Sequence, residues 1–352
     1  MDTELNTPSV QRPQQGACSY HVHADLRWPH GTGIGTVMSA YLKRAPKEVH
    51  ISPLTIAASP GSPLSAFAIA RALDHEAGDG VFWSPGFVPP AWTNRPSIVT
   101  VHDLTHLHHY SRWHRAYYDL IFRRMFHRCT EIVCVSDFTR NEFLAWSHID
   151  RSRVHRVYNG VDAAFTANDN RIELPYPYVL YPGNRRSYKN IDRLLRAYAG
   201  STLPARGIHL VCTGEPDLAL RARAHELGIS WRLTFAGNIE HQDMPPLYRG
   251  ALFVAFVSLY EGFGLPILEG MASRVPVLTS NISSMPEIAG DAALTVDPYS
   301  VADIAKAMNR LAEDDALREC LIERGIERAQ QFDWDRSSKM LWDLIEQASH
   351  RT

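Results

Sequence analysis

The sequence has no run of about 18 consecutive apolar residues, the length a helix needs to cross a bilayer, so a membrane-spanning helix is not expected. Net charge is nearly absent as well. A formal −2 over 352 residues supplies no global field for nucleic acid, and any basic surface must be local. Cysteine is scarce and odd in number: Cys18, Cys129, Cys134, Cys212 and Cys320 lie scattered, mostly in apolar strand- or helix-like contexts. That excludes a disulfide framework and favours reduced thiols in a cytosol. There is no internal repeat, no low-complexity segment and no GxGxxG fingerprint with its acidic ribose partner, which argues against an NAD-dependent oxidoreductase. Residues 1–18 are rich in Gln, Pro and Thr but have no apolar h-region, so they read as a disordered leader and not as a signal peptide.

The chain exceeds the length at which one core usually stops growing, and two domains are expected. Strand-like segments at 49–56, 80–84, 97–102, 131–135 and 154–158 alternate with helical patterns, as in a parallel sheet covered by helices. A polar linker around 157–174 contains Asn159-Gly160-Val161-Asp162, and a new alternation begins at Tyr178. Three helical segments, 301–311, 317–330 and 335–348, close the chain.

Residues 251–287 organise the rest. An apolar strand ends in Tyr260-Glu261-Gly262-Phe263-Gly264, and Pro266 opens a helix. Pro at a first helical position costs nothing, because its missing N–H would be unpaired there anyway. The two glycines let backbone come close to a ligand, and the free N–H groups of a helix start favour an anion such as a pyrophosphate. Glu261 and Glu269 flank this cradle and suit sugar hydroxyls better than phosphate.

Other candidates lie at the ends of strands. Gly33-Ile34-Gly35 forms a turn opening a helix, either a ligand-facing loop or a plain structural turn. His102, with Asp103, falls at a strand's carboxyl end, the edge where open α/β sheets bind ligands, although a core histidine is the alternative. His106, His108 and His109 have no Cys or carboxylate at ligand spacing, so a metal site is not expected. Asn184, Arg185, Arg186 and Lys189 lie between a strand and a helix and would supply charge for a diphosphate, or form a solvated turn. Ser136 is placed as a helix N-cap. Residues 112–128 interleave aromatic and basic side chains; they either bury Tyr117, Ile121 and Met125 and solvate the arginines, or meet anionic lipid.

With Glu261-Gly262-Phe263-Gly264-Leu265-Pro266 and Glu269, the sequence resembles the retaining glycosyltransferases of family 4. The segments VSDFTRNEF, VYNGVD, YPGNRRSYKN and SSMPEIAGDAALTVDP extend the likeness over nearly everything after Tyr20, and in motif it is similar to bacterial polysaccharide mannosyltransferases. The resemblance implies an α/β fold of the GT-B type, two Rossmann-like doubly wound domains facing each other across a cleft. It places an amino-terminal acceptor domain at 19–170, a carboxyl-terminal sugar-nucleotide donor domain at 171–332, and a helix at 333–352 crossing back to the first. It further implies that Glu261 holds hydroxyls of the transferred sugar and Glu269 those of the ribose. Backbone N–H groups of Gly262, Phe263, Gly264 and Leu265 would meet sugar and diphosphate. Lys189 would neutralise the leaving phosphate, with Arg185 or Arg186 replacing an arginine that relatives carry where Asn184 stands. Gly33 and Gly35 would lie over the diphosphate and His102 near the reacting carbon. No DxD-like motif is present, and transfer without metal or other cofactor is implied. GDP-mannose is the expected donor, with UDP-glucose or dTDP-rhamnose as alternatives. A glycan linked to polyprenyl diphosphate is the expected acceptor. The expected place is the cytoplasm, with peripheral contact at the inner membrane face and no nucleic-acid partner. A sugar-nucleotide epimerase or a catalytically silent binding protein on the same fold are the rival classes.

Overall fold

The computed structural model describes residues 20–29, 31–167, 169–240 and 242–351. The expected leader and Cys18 lie outside the described residues. Two six-stranded sheets, all parallel within each sheet, form the scaffold. The amino sheet contains β1 (Tyr20–Ala24), β2 (Val49–Pro53), β3 (Val81–Ser84), β4 (Ser97–Val101), β5 (Glu131–Cys134) and β6 (Val154–Arg156), in the order β2-β1-β3-β4-β5-β6. The carboxyl sheet contains β7 (Tyr178–Tyr181), β8 (His209–Cys212), β9 (Leu233–Phe235), β10 (Phe253–Phe256), β11 (Val277–Ser280) and β12 (Leu294–Val296), in the order β12-β11-β10-β7-β8-β9.

The composition of the central strands explains their burial. Val-Phe-Trp-Ser in β3, Tyr-Val-Leu-Tyr in β7 and Phe-Val-Ala-Phe in β10 are buried along their whole length, as a parallel strand covered on both faces by helices must be. Strand order reverses between β7 and β10 in the carboxyl sheet and between β1 and β3 in the amino sheet. At such switch points the loops leaving the carboxyl ends of the strands diverge and open a crevice for ligands.

The last helix, Trp334–Ser349, belongs to the amino domain by packing. Its Trp334, Leu341, Trp342 and Ile345 join a core cluster with Val22, Tyr41, Trp83 and Ile98, and Trp342 donates its indole N–H to the Tyr41 carbonyl at 3.2 Å. The crossing is tight at the linker, where a Cβ on Gly160 would lie 2.4 Å from the Trp334 nitrogen. The expected crossover is therefore present, and only glycine fits beneath it.

One expectation needs correcting. Residues 112–126 are helical, but a π turn, Tyr118–Phe122, separates Arg112–Tyr117 from Arg123–Phe126. An extra residue in the turn rotates the following face. Phe122, Met125 and Phe126 are buried, whereas Tyr117 is only partly buried and Ile121 is 36% exposed, beside Leu120 at 61%. The regular 3.6-residue spacing that predicts Ile121 in the core fails at that turn.

Candidate active site

The loop after β10 is held by its carbonyls. Glu261 C=O accepts from Ser283 Oγ at 2.6 Å and lies 2.9 Å from Ser284 Oγ, which also reaches the Phe263 carbonyl at 2.9 Å. Gly262 C=O accepts from Ser136 Oγ at 2.6 Å and Thr139 Oγ1 at 2.9 Å, both from the amino domain. All peptide bonds described are trans, and a planar trans peptide points its C=O and N–H in opposite directions. Tying three successive carbonyls to hydroxyls therefore turns the N–H groups of Gly262, Phe263 and Gly264 the other way, at the start of helix Leu265–Ala272. Successive backbone donors at a helix start suit an anion. The helix begins one residue before Pro266, which still falls in the first turn. Gly264 is left-handed, with φ of +106°. Gly262 has a further reason for being glycine: a Cβ there would lie 1.6 Å from the His102 carbonyl oxygen. The two domains meet backbone to backbone at that point.

The loop after β7 brings the cation. Asn190, left-handed at φ 62°, donates its side-chain N–H groups to the carbonyls of Val257 (2.9 Å) and Pro298 (2.7 Å), and Leu259 N–H donates to Tyr188 C=O at 2.7 Å. So stitched, the β7 and β10 loops place Lys189 Nζ 2.7 and 2.9 Å from the two carboxylate oxygens of Glu261. Both side chains are largely buried, 14% and 12% exposed, and Nζ lies 5.2 Å from the Phe256 ring centroid. The other two expected cations diverge. Arg185 donates to Thr213 C=O at 3.0 Å and stacks over Phe235, while Arg186 is exposed with Tyr188 and Tyr110 beside it. Asn184 is exposed, and its side-chain oxygen accepts from Arg186 N–H.

Glu269, one turn into the helix, accepts a 2.6 Å hydrogen bond from Tyr248. Tyr248 is fully buried, and burial together with the neighbouring carboxylate pushes its phenol well above the usual range. It therefore remains a hydrogen-bond donor, fixing one oxygen of Glu269. No motif in the sequence marks Tyr248; it sits in an ordinary helical segment, Met244–Gly250.

On the amino side, His102 follows β4 and places its Nε2 2.6 Å from the Pro85 carbonyl. A carbonyl only accepts, so Nε2 carries the proton. Burial lowers the pKa of His102, against the opposing effects of that hydrogen bond and Asp103, and the ring is neutral near pH 7. The Gly33–Gly35 turn is split in role. Gly33 is exposed with nothing within 4 Å of a Cβ position, whereas Gly35 is buried, gives its N–H to Thr32 Oγ1 at 3.1 Å and would strike the Pro29 carbonyl at 2.0 Å. The hydrogen bonds and ring contacts that the amino domain makes to Tyr260 and Gly262 come from residues 102–109 and 136–142, away from this turn.

The neighbouring histidines work at the interface. Tyr260 OH donates to Glu142 Oε2 at 2.5 Å and accepts from Leu104 N–H at 2.9 Å, while His108 Nε2 meets the other Glu142 oxygen at 2.6 Å. His109 packs between the rings of Tyr188 and Tyr260 at 5.3 and 5.6 Å. His106 stacks on Phe87, and burial drops its pKa to about 4. Among the described residues no group of three or more His, Cys, Asp or Glu gathers to hold a metal ion. Cys129, Cys134 and Cys212 are buried and free, and Cys320 is partly buried. Ser136 caps its helix as expected, accepting from Thr139 N–H at 3.0 Å, but its hydroxyl also reaches across the cleft, which no local pattern announces.

Two family models match consecutive parts of the chain: Glycosyltransferase Family 4 over residues 33–165 and Glycosyl transferases group 1 over residues 162–328. The chain is 30% identical over 274 residues to O-antigen chain mannosyltransferase B of Escherichia coli, covering 73% of this chain and 71% of that protein. It is 27% identical over 217 residues to alpha-D-kanosaminyltransferase of Streptomyces kanamyceticus, covering 57% and 56%. Among solved structures, Anabaena HepE in complex with UDP and glucose superposes with a TM-score of 0.72 at 16% identity, over 93% of this chain and 99% of that one.

Proposed function

The chain belongs to glycosyltransferase family 4, and on that premise we propose that it transfers mannose from GDP-mannose, with retention and without a metal ion, onto a glycan acceptor in bacterial polysaccharide synthesis. The observation that carries this reading is the Lys189–Glu261 pair beside the amide donors of Gly262 to Gly264, at the switch point of the carboxyl sheet. Breaking a glycosyl–phosphate bond leaves an oxocarbenium-like carbon and a nucleoside diphosphate anion. The chief demand is charge at the leaving group. Lys189 and the loop amides meet that demand, with Arg185 or Arg186 assisting. Glu261, already held by Lys189, orients sugar hydroxyls, and Glu269, fixed by Tyr248, anchors the ribose. Neutral His102 faces the reacting carbon from the other domain, and Gly33 lies over the diphosphate.

The mannose assignment rests on the likeness to the O-antigen mannosyltransferase and on the YPGNRRSYKN and SSMPEIAGDAA motifs. A second donor class has support of its own, since a kanosaminyltransferase shares the family and the superposed HepE carries UDP and glucose. Thermal unfolding with GDP-mannose, UDP-glucose and dTDP-rhamnose separates them. A donor at 100 times its Kd stabilises by about 2.7 kcal/mol. Stabilisation by GDP-mannose alone is expected; stabilisation by UDP-glucose or dTDP-rhamnose alone overturns the mannose assignment. Conversion of a free sugar nucleotide without acceptor would favour an epimerase.

A lipid-linked acceptor fits one face of the amino domain. Trp113 (78% exposed), Leu120, Ile121, Leu64, Phe67 and Trp92 stand out of the surface around exposed Arg112, Arg115 and Arg124. Apolar side chains among arginines suit the headgroup region of an anionic bilayer. Binding to phosphatidylglycerol vesicles at low salt, lost in Trp113→Ala/Leu120→Ala, is expected; no binding by the wild type removes the membrane part of the proposal.

A further inference from the structure

The first turn of helix Asp137–Ser147 belongs to the amino domain, yet both domains use it. Ser136 and Thr139, each fully buried, donate their hydroxyls to the carbonyl of Gly262. In the opposite direction, the carboxylate of Glu287 from the carboxyl domain accepts the N–H groups of Asp137 (2.7 Å) and Phe138 (2.8 Å), and it also hydrogen-bonds Tyr158 in the linker. A carboxylate at a helix amino end satisfies orphan donors and is favoured by the macrodipole. The grip is thus reciprocal: one domain holds the helix, and the helix holds one peptide of the other domain's loop.

That peptide is the one joining Gly262 to Phe263. Its carbonyl is fixed by Ser136 and Thr139, and planarity then fixes the direction of the Phe263 N–H. Ser283 and Ser284, which brace the carbonyls on either side, come from the carboxyl domain itself. The middle amide of the set is therefore aimed from the opposite domain.

We infer that Thr139, with Ser136, is a positioning residue for the sugar-nucleotide site: it sets the middle amide of the donor loop across the cleft, so the anion-binding set is complete only when the domains are docked. This rests on the proposed function for what the amides bind. By linkage, a donor that needs the docked arrangement stabilises it by the same factor, so donor binding and domain docking reinforce each other. Thr139 is the cleaner probe of the two, because Ser136 also caps its own helix and its loss would cost the cap.

The test compares Thr139→Val, which keeps the branched shape and loses the hydroxyl, with Thr139→Ser, which keeps the hydroxyl. In Thr139→Val the KM for the sugar nucleotide rises about tenfold, the factor expected when a buried carbonyl loses a hydrogen bond, while the acceptor KM is unchanged. Thr139→Ser stays within about twofold of wild type. Without any ligand, hydrogen exchange in the peptide covering 260–265 is faster in Thr139→Val than in Thr139→Ser, with the rest of the carboxyl domain unchanged. Equal donor KM and equal loop exchange in the two variants would overturn the inference. If the wild type binds no sugar nucleotide, the functional proposal fails on its own, and the exchange comparison still decides this one.

Discussion

The loop after β10, at the crevice where β7 and β10 meet in the carboxyl sheet, has each carbonyl from Glu261 to Phe263 bonded to a hydroxyl and its one carboxylate paired with Lys189. The corresponding turn of the amino domain, after β1, leaves Gly33 exposed with open space around it, and its polar bonds are local ones such as Gly35 to Thr32. The contrast extends to the surroundings. The amino domain carries imidazoles kept neutral mainly by burial, at His21, His23, His102, His106 and His109, while among the described residues of the carboxyl domain only His209 is lowered. What the difference teaches is a division of labour. The carboxyl-side loop is braced at every carbonyl, the middle one from the amino domain, whereas the amino-side turn stands open at Gly33.

The most damaging way to break this comparison is Gly262→Ala. Its methyl would strike the His102 carbonyl and force the domains apart, and a displacement of about 1 Å at a reacting centre costs on the order of 10²-fold in rate. Steady-state transfer should show that loss while circular dichroism stays native, because both sheets are untouched. Next in size is Tyr248→Phe, which frees Glu269 from its anchor; the donor KM should rise about tenfold and kcat much less.

Acid should separate the domains more gently. His23 and His106 have folded pKa values near 4 against about 6.5 unfolded, so the unfolded chain binds the extra protons. Their contribution to stability is complete above about pH 6.5 and is lost progressively as the pH falls towards 4. Glu76, 3.8 Å from His23, opposes that shift only in part. Amide protection corrected for intrinsic exchange should fall in the amino domain before the carboxyl domain between pH 7 and pH 5. The smallest effect is Gly33→Ala, whose methyl enters open space; the melting midpoint should correspond to a change within about 0.5 kcal/mol. A large loss of stability there would mean that the amino loop is as tightly built as its counterpart.

Much of this arrangement was legible in the chain. Parallel strands buried on both faces advertise themselves as short apolar runs, and the crevice loops follow them directly, so Lys189, Glu261 and His102 could be placed after strand ends, and Glu269 one turn into the following helix, without coordinates. The crossover of the last helix followed from the family resemblance. Local patterns fail where the cause is distant or adds a single residue. The close approach of Gly262 to the His102 carbonyl could not be read locally, because that neighbour belongs to the other domain. The second role of Ser136 and the bond of Thr139 to the donor loop are invisible for the same reason, and the Tyr248–Glu269 pair joins two helices of one domain that no local spacing links. The π turn at Tyr118–Phe122 has no compositional mark, so the alternative that buries Ile121 follows the regular spacing, and Ile121 lies at the surface.

The proposed role of Lys189 is to carry leaving-group charge at the crevice of the carboxyl domain. It is tested most directly by the turnover of Lys189→Ala with radiolabelled GDP-mannose, or with whichever donor stabilises the wild type. A fall of about 10²-fold or more with an unchanged circular dichroism spectrum is expected; a rate within a few-fold of wild type would contradict it.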